Sequence, residues 1–185
     1  VEMLSYNGSI PGPIIKTKVW TKAKITIVNK VSDLETTLHS HGLRLSDMFD
    51  WVVKDMMWKQ DPIKYGDSFT YELSFPDEWV FWYHPHLRED IQQELWLYWN
   101  YIVEPIWEET RNFVNREWPI ILDDILLNGD KVKPFYKDFT NYVLMWRFWN
   151  TIFVNGSSDY EFNMKSWEVV RAYLTNTANT RVFNL

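Results

Sequence analysis

All four histidines of this 185-residue chain fall in two His-x-His pairs, His39-Ser40-His41 and His84-Pro85-His86. Residues i and i+2 of a strand project to the same face, so each pair aims two imidazoles at one point. Two such pairs on neighbouring strands form a half-cage of nitrogen ligands suited to copper, zinc or iron. A lone histidine is ordinarily a surface or core residue. Two pairs with no histidine left over are much harder to explain as structure, so ligation is the favoured reading. Asp123-Asp124 offers a second acidic cluster, but successive strand residues face opposite ways, which predicts solvation or a cap there. Met48, Met56 and Met57 read as loop gap-fillers rather than a methionine-rich metal entry site, and Arg88-Glu89-Asp90 reads as a solvated face.

The elements that must carry these pairs are short strands. Lys22 to Asn29 and Ser68 to Phe75 alternate polar with apolar, aromatic or β-branched residues, as half-buried strands do. Trp79 to His84, Tyr98 to Val103, Trp118 to Leu122, Thr151 to Val154 and Val169 to Leu174 are further strand segments. Turn signals separate them: Asn7-Gly8, Pro11-Gly12-Pro13, Tyr65-Gly66-Asp67, Asn128-Gly129-Asp130 and Asn155-Gly156-Ser157. A short helix is predicted over Arg88 to Leu95, where Glu89-Asp90 suits a helix start. Regular short strands of this kind predict an all-β sandwich or barrel. An internal echo, Asn7-Gly8 then a strand ending in Asn29 against Asn155-Gly156 then one ending in Asn176, predicts two copies of one sandwich. The expected division is a first domain over 1–105, a linker over 106–115 after Pro105, and the start of a second domain over 116–185.

Composition narrows the function classes. A net charge of -6 leaves no basic stripe for phosphates, and no polybasic amphipathic helix is present for a membrane surface. No apolar run reaches the roughly 18 residues of a membrane span. The absence of cysteine removes disulfides, zinc knuckles and thiol catalysis together. The opening Val1-Glu2-Met3-Leu4 has no basic or apolar leader pattern, and Val182-Phe183-Asn184-Leu185 reads as a strand in progress, so the chain reads as cut rather than finished. Twelve tryptophans stand against six glycines, whereas glycine is ordinarily about 7% of a chain and turn-rich β proteins depend on it.

Several segments, in order, resemble the multicopper oxidases. Tyr6-Asn7-Gly8-Ser9-Ile10-Pro11-Gly12-Pro13 resembles the family's opening Asn-Gly-x-x-Pro-Gly-Pro, and His39-Ser40-His41-Gly42 its first copper motif. Gln60-Asp61-Pro62-Ile63 and Gly66-Asp67-Ser68-Phe69-Thr70-Tyr71 resemble its next two segments, and Trp82-Tyr83-His84-Pro85-His86 its second copper motif. Ile102-Val103-Glu104-Pro105 is similar to the end of the first domain, and Arg181 to Leu185 to a strand of the second. The resemblance implies a cupredoxin-like Greek-key β-sandwich, one complete and one begun. It also implies copper as cofactor, with His39 on a type 2 copper and His41, His84 and His86 on a type 3 pair. Asp50, standing where the family has a proton-delivering carboxylate, is implied as a catalytic acid–base group; a turn residue is the equal alternative.

The implied function is the N-terminal part of a laccase-like oxidase. Such enzymes couple one-electron oxidation of phenols, aromatic amines or metal ions to four-electron reduction of dioxygen to water, and are commonly exported. The implied partners are dioxygen, a small reducing substrate and a C-terminal cupredoxin domain that supplies the remaining copper ligands; neither nucleic acid nor membrane is among them. These 185 residues lack the cysteine of a type 1 copper, so the fragment alone is expected to be inactive. A copper- or zinc-binding cupredoxin without catalysis and a nitrite reductase-like copper enzyme are the rivals, the second disfavoured by the missing cysteine. One departure from the family pattern stands out: Trp20, Trp51, Trp79, Trp96, Trp99 and Trp167 occupy family glycine positions, with Trp146 and Trp149 as further members of the set. Tryptophan there adds left-handed strain and bulk, which points to engineering or misassigned sequence over a tryptophan-rich core evolved in place.

Overall fold

A computed structural model describes residues 1–50, 60–107, 111–134 and 149–185. Trp51, Met56, Met57 and Trp146 lie outside the described residues. The chain divides into two compact units, Ser5–Thr110 and Val1–Leu4 with Arg111–Leu185.

In the first unit the described strands are β1 (Ile15–Lys18), β2 (Thr21–Val28), β3 (His39–His41), β4 (Ser68–Phe75), β5 (Trp79–His84) and β6 (Trp99–Glu104), with a short helix α1 (Glu89–Gln92) before β6. One sheet has the order β1-β6-β5-β3, with β1 parallel to β6 and the other neighbours antiparallel. The second pairs β2 with β4, from Thr21 opposite Phe75 to Val28 opposite Ser68. Strand β2 alternates half-buried and exposed residues along its whole length, as its sequence pattern requires. Strand β6 is different: Trp99 to Val103 are all buried, because β6 is flanked by strands on both sides. The core gathers Leu38, Ile63, Tyr71, Phe75, Tyr101 and Ile102, with the Phe75 and Tyr101 rings meeting edge to face, centroids 5.4 Å apart. Tyr71 carries its hydroxyl into this core and accepts there from the Leu38 amide at 2.8 Å and the Gln60 side chain at 2.7 Å. That bond gives Gln60 of the Gln-Asp-Pro-Ile segment a structural task beside the first histidine pair.

The second unit is built on β7 (Arg116–Ile125), flanked by antiparallel β10 (Thr151–Val154) and parallel β11 (Val170–Asn176). A small hairpin joins β8 (Leu127–Asn128) to β9 (Lys131–Val132) through Gly129, whose φ is +66°. Here the expectation of solvated Asp123-Asp124 is corrected. Ile120 to Ile125 are buried without a break, because β7 is the middle strand of its sheet. Asp124 meets the Arg181 guanidinium at 2.6 Å and accepts from the Trp149 amide, while Asp123 accepts from the Asp124 amide. Both carboxylates are therefore internal structural groups rather than a surface pair.

Among the described residues, seven non-glycine residues have positive φ, and three of them are tryptophans: Trp20 at 68°, Trp96 at 76° and Trp167 at 67°. Asparagine and aspartate tolerate this region, but for a bulky side chain it costs about 1–2 kcal/mol per residue.

Candidate metal centre

Strand pairing alone places the two histidine motifs side by side. His39 lies opposite His84 and His41 opposite Trp82 in the β3–β5 ladder. The pair Pro85-His86 then leaves β5, and the His86 amide donates to Thr37 Oγ1 at 3.0 Å, which holds the second motif against the residues leading into the first. All four imidazoles converge. His39 sits at the centre, its ring centroid 5.5 Å from His41, 5.1 Å from His84 and 5.0 Å from His86. Ligating nitrogens of His39, His41 and His84 lie within 4.8 Å of one another.

Three of the four rings are held from behind. His84 Nδ1 donates to the Pro85 carbonyl at 2.8 Å, and Gln93 Nε2 lies 2.8 Å from the same nitrogen. Trp82 stacks on the His84 ring at 4.1 Å and 22°. With Nδ1 engaged, His84 Nε2 points its lone pair into the cluster, buried and without a hydrogen-bond partner. Burial and the neighbouring imidazoles push the His84 pKa down to about 3, so the ring is neutral and able to ligate at ordinary pH. His41 is lowered for the same two reasons, burial first. His39 Nδ1 contacts Asp50 Oδ1, which leaves its Nε2 for a metal. His86 Nδ1 lies 2.7 Å from Glu89 Oε1. Carboxylates behind ligating imidazoles fix ring orientation and raise ligand basicity.

A set of converging imidazoles with an orphaned buried nitrogen fits a copper or zinc ion. The structure thus brings together His39, His41, His84, His86 and Asp50. Met48 is exposed.

Sequence reasoning missed the supporting groups. Glu89 stands three residues after His86, a spacing that brings side chains together at a helix start, yet its neighbours Arg88 and Asp90 pair in solvent and suggested only a charged surface. Gln92 is fully buried, accepts from Thr36 Oγ1 at 2.7 Å and donates to the Glu35 and Leu87 carbonyls, so α1 is tied to the loop before β3. A buried glutamine leaves no mark in an apolar–polar pattern.

Comparison with known proteins gives these contacts a family. The profile described as multicopper oxidase matches residues 1–105. The multicopper oxidase MmcO of Mycobacterium tuberculosis is 33% identical over 124 residues, covering 67% of this chain and 23% of that protein. The multicopper oxidase mco of Staphylococcus aureus is 29% identical over 195 aligned positions, covering 98% of this chain and 39% of that protein. Among solved structures, Lac15 from a marine microbial metagenome superposes with a TM-score of 0.74 at 27% identity, covering 97% of this chain and 43% of that one. The chain therefore spans less than half of the length of these relatives, with 23%, 39% and 43% covered. Its fold is the cupredoxin fold of these structures.

Proposed function

Because this chain belongs to the multicopper oxidase family, we propose that it is the N-terminal portion of a copper-dependent, laccase-like oxidase. The activity would couple one-electron oxidation of phenols, aromatic amines or metal ions to four-electron reduction of dioxygen to water. One observation carries the reading: three imidazoles of two paired strands converge with that of His86 just beyond them, and the buried Nε2 of His84 has no hydrogen-bond partner. Bound copper would supply the electron transfer and dioxygen chemistry, which requires several metal ions close together.

The chain's own residues would hold and orient that metal. His39 is assigned to a type 2 copper, and His41, His84 and His86 to a type 3 pair. Asp50 holds the His39 ring through Nδ1, so it acts first as an orienting group, and its carboxylate is the group here that could pass protons to reduced oxygen, directly or through water. Pro85, Gln93 and Trp82 fix His84, and Glu89 stands behind His86. The remaining ligands and the type 1 site would come from a C-terminal cupredoxin domain, since these residues contain no cysteine and no further histidine.

Copper titration of the purified chain, followed by calorimetry and electron paramagnetic resonance, tests the reading. Tight copper binding is expected in the parent chain and its loss in His39→Ala and His84→Ala. Unchanged affinity in a variant lacking all four histidines would overturn it.

A further inference from the structure

We propose that positions 20, 96 and 167 are glycine sites of this protein, and that the codon read there as tryptophan is decoded as glycine in the cell that makes it. The backbone at each position supports this independently of any family pattern. After α1, the Leu97 amide donates to the Gln92 carbonyl at 3.0 Å and the Trp96 amide to the Gln93 carbonyl at 2.7 Å. Those two bonds form a Schellman motif, and Trp96, at φ 76°, sits at its C′ position, the slot that glycine ordinarily fills. In the turn 165–168 the Glu168 amide donates to the Lys165 carbonyl at 3.1 Å, and Trp167 is the third residue with φ 67°. A positive φ at the third position of such a turn is a glycine requirement. Trp20 lies at the corner between β1 and β2, where the chain leaves one sheet for the other. Its amide donates to Phe75 and that of Val19 to Glu104, which clamps the corner at φ 68°.

Nothing offsets the left-handed conformation at two of the three. Trp20 is 71% exposed and Trp167 is 96% exposed, so neither indole gains burial in return. Glycine use in the rest of the chain agrees. Five of the six glycines, Gly8, Gly42, Gly66, Gly129 and Gly156, have positive φ. The chain keeps glycine almost entirely for left-handed positions, and three more such positions carry the bulkiest side chain instead. Two other tryptophans are built in as tryptophan. Trp82 stacks on His84, and Trp118 donates through Nε1 to Tyr160 at 2.6 Å beneath the Arg116 guanidinium. A codon that one genetic code assigns to tryptophan and another to glycine produces this division into two classes. The Schellman turn at 96 also returns the chain from α1, which holds Glu89, Gln92 and Gln93 around the histidines, into β6.

Two measurements test the proposal. Peptide mass spectrometry of the protein from its native host is expected to find glycine at 20, 96 and 167 and tryptophan at 82 and 118. Tryptophan at all five positions would overturn it. In recombinant chain, Trp20→Gly is compared with Trp20→Ala, and Trp167→Gly with Trp167→Ala, by denaturant unfolding. At ordinary sites alanine is the more stable of the two; here each glycine variant is expected to exceed its alanine counterpart by about 5- to 30-fold in the folded-to-unfolded ratio. An alanine variant equal to or more stable than its glycine counterpart at both positions would show that the sites are not built for glycine.

Discussion

His84 has one nitrogen engaged before any metal arrives: Nδ1 donates to Pro85, while Nε2 is buried without a hydrogen-bond partner on a ring that neighbours three other imidazoles. Protonating Nε2 would place a charge in that setting, which is why its pKa falls to about 3 from 6.5. The consequence for the metal-free chain has a definite sign. Between pH 6.5 and about 3 the unfolded chain binds a proton at this histidine that the folded chain does not. Stability is therefore full above pH 6.5 and falls as the pH drops toward 3, by about 1.4 kcal/mol per pH unit from this group. Denaturant midpoints measured in a chelating buffer across that range check the slope, and His84→Gln should flatten it. Asp50 acts on the next ring. Removing its carboxylate frees His39 to rotate, so Asp50→Ala is expected to weaken copper binding about 10- to 100-fold, with Asp50→Asn between it and the parent chain. Calorimetric titration with copper reads this directly, and an unaltered affinity would remove Asp50 from the site.

At the scale of elements, the ladder between β3 and β5 does most of the positioning, because it sets His39 against His84 without any contribution from the loops. Alternating segments were legible in advance: 68–75, 79–84 and 151–154 coincide with β4, β5 and β10. Strand β7 runs longer than its apolar run 118–122, since Arg116, Glu117, Asp123 and Asp124 are polar residues inside the ladder. The helix is shorter than the predicted 88–95, because after Gln92 the chain winds through turn hydrogen bonds into the left-handed residue 96. The Asp124–Arg181 pair belongs to this scale as well, linking β7 to the segment after β11. Asp124 is wholly buried whereas Arg181 is a quarter exposed, at 0% and 25% of their side chains. Removing the cation is thus the harsher change, since it strands a buried carboxylate. Arg181→Met is expected to destabilise the chain by about 3–5 kcal/mol; a shift under about 1 kcal/mol in urea unfolding, the cost of losing a surface pair, would show that water reaches Asp124.

For the whole molecule, the family assignment and the share of its relatives that it covers act together. The chain holds four histidines and no cysteine, so it can supply part of a copper cluster and no cysteine-ligated type 1 copper. We expect the purified 185 residues, loaded with copper, to show no oxygen consumption with phenolic or ferrous substrates. An oxygen electrode decides this, and sustained turnover would mean that the four histidines suffice for catalysis. Copper binding by the same preparation distinguishes an incomplete site from an unfolded one.

Residue type and spacing by themselves indicated the all-β class and a paired-histidine metal site, and the ordered motifs carried the resemblance to the family, because paired histidines and period-two alternation are local properties that survive without coordinates. Only the tertiary structure decided what stands behind each ligand. Asp50 reaches His39 across 11 residues of chain, Thr37 reaches His86 across 49, and Gln92 reaches Thr36 across 56. Such contacts are set by strand order and by where a turn ends, not by neighbours in sequence. The same holds for the tryptophans: family likeness marked them as misplaced, but the backbone angles at 20, 96 and 167 supplied the physical reason, a left-handed turn that a side chain with a Cβ resists.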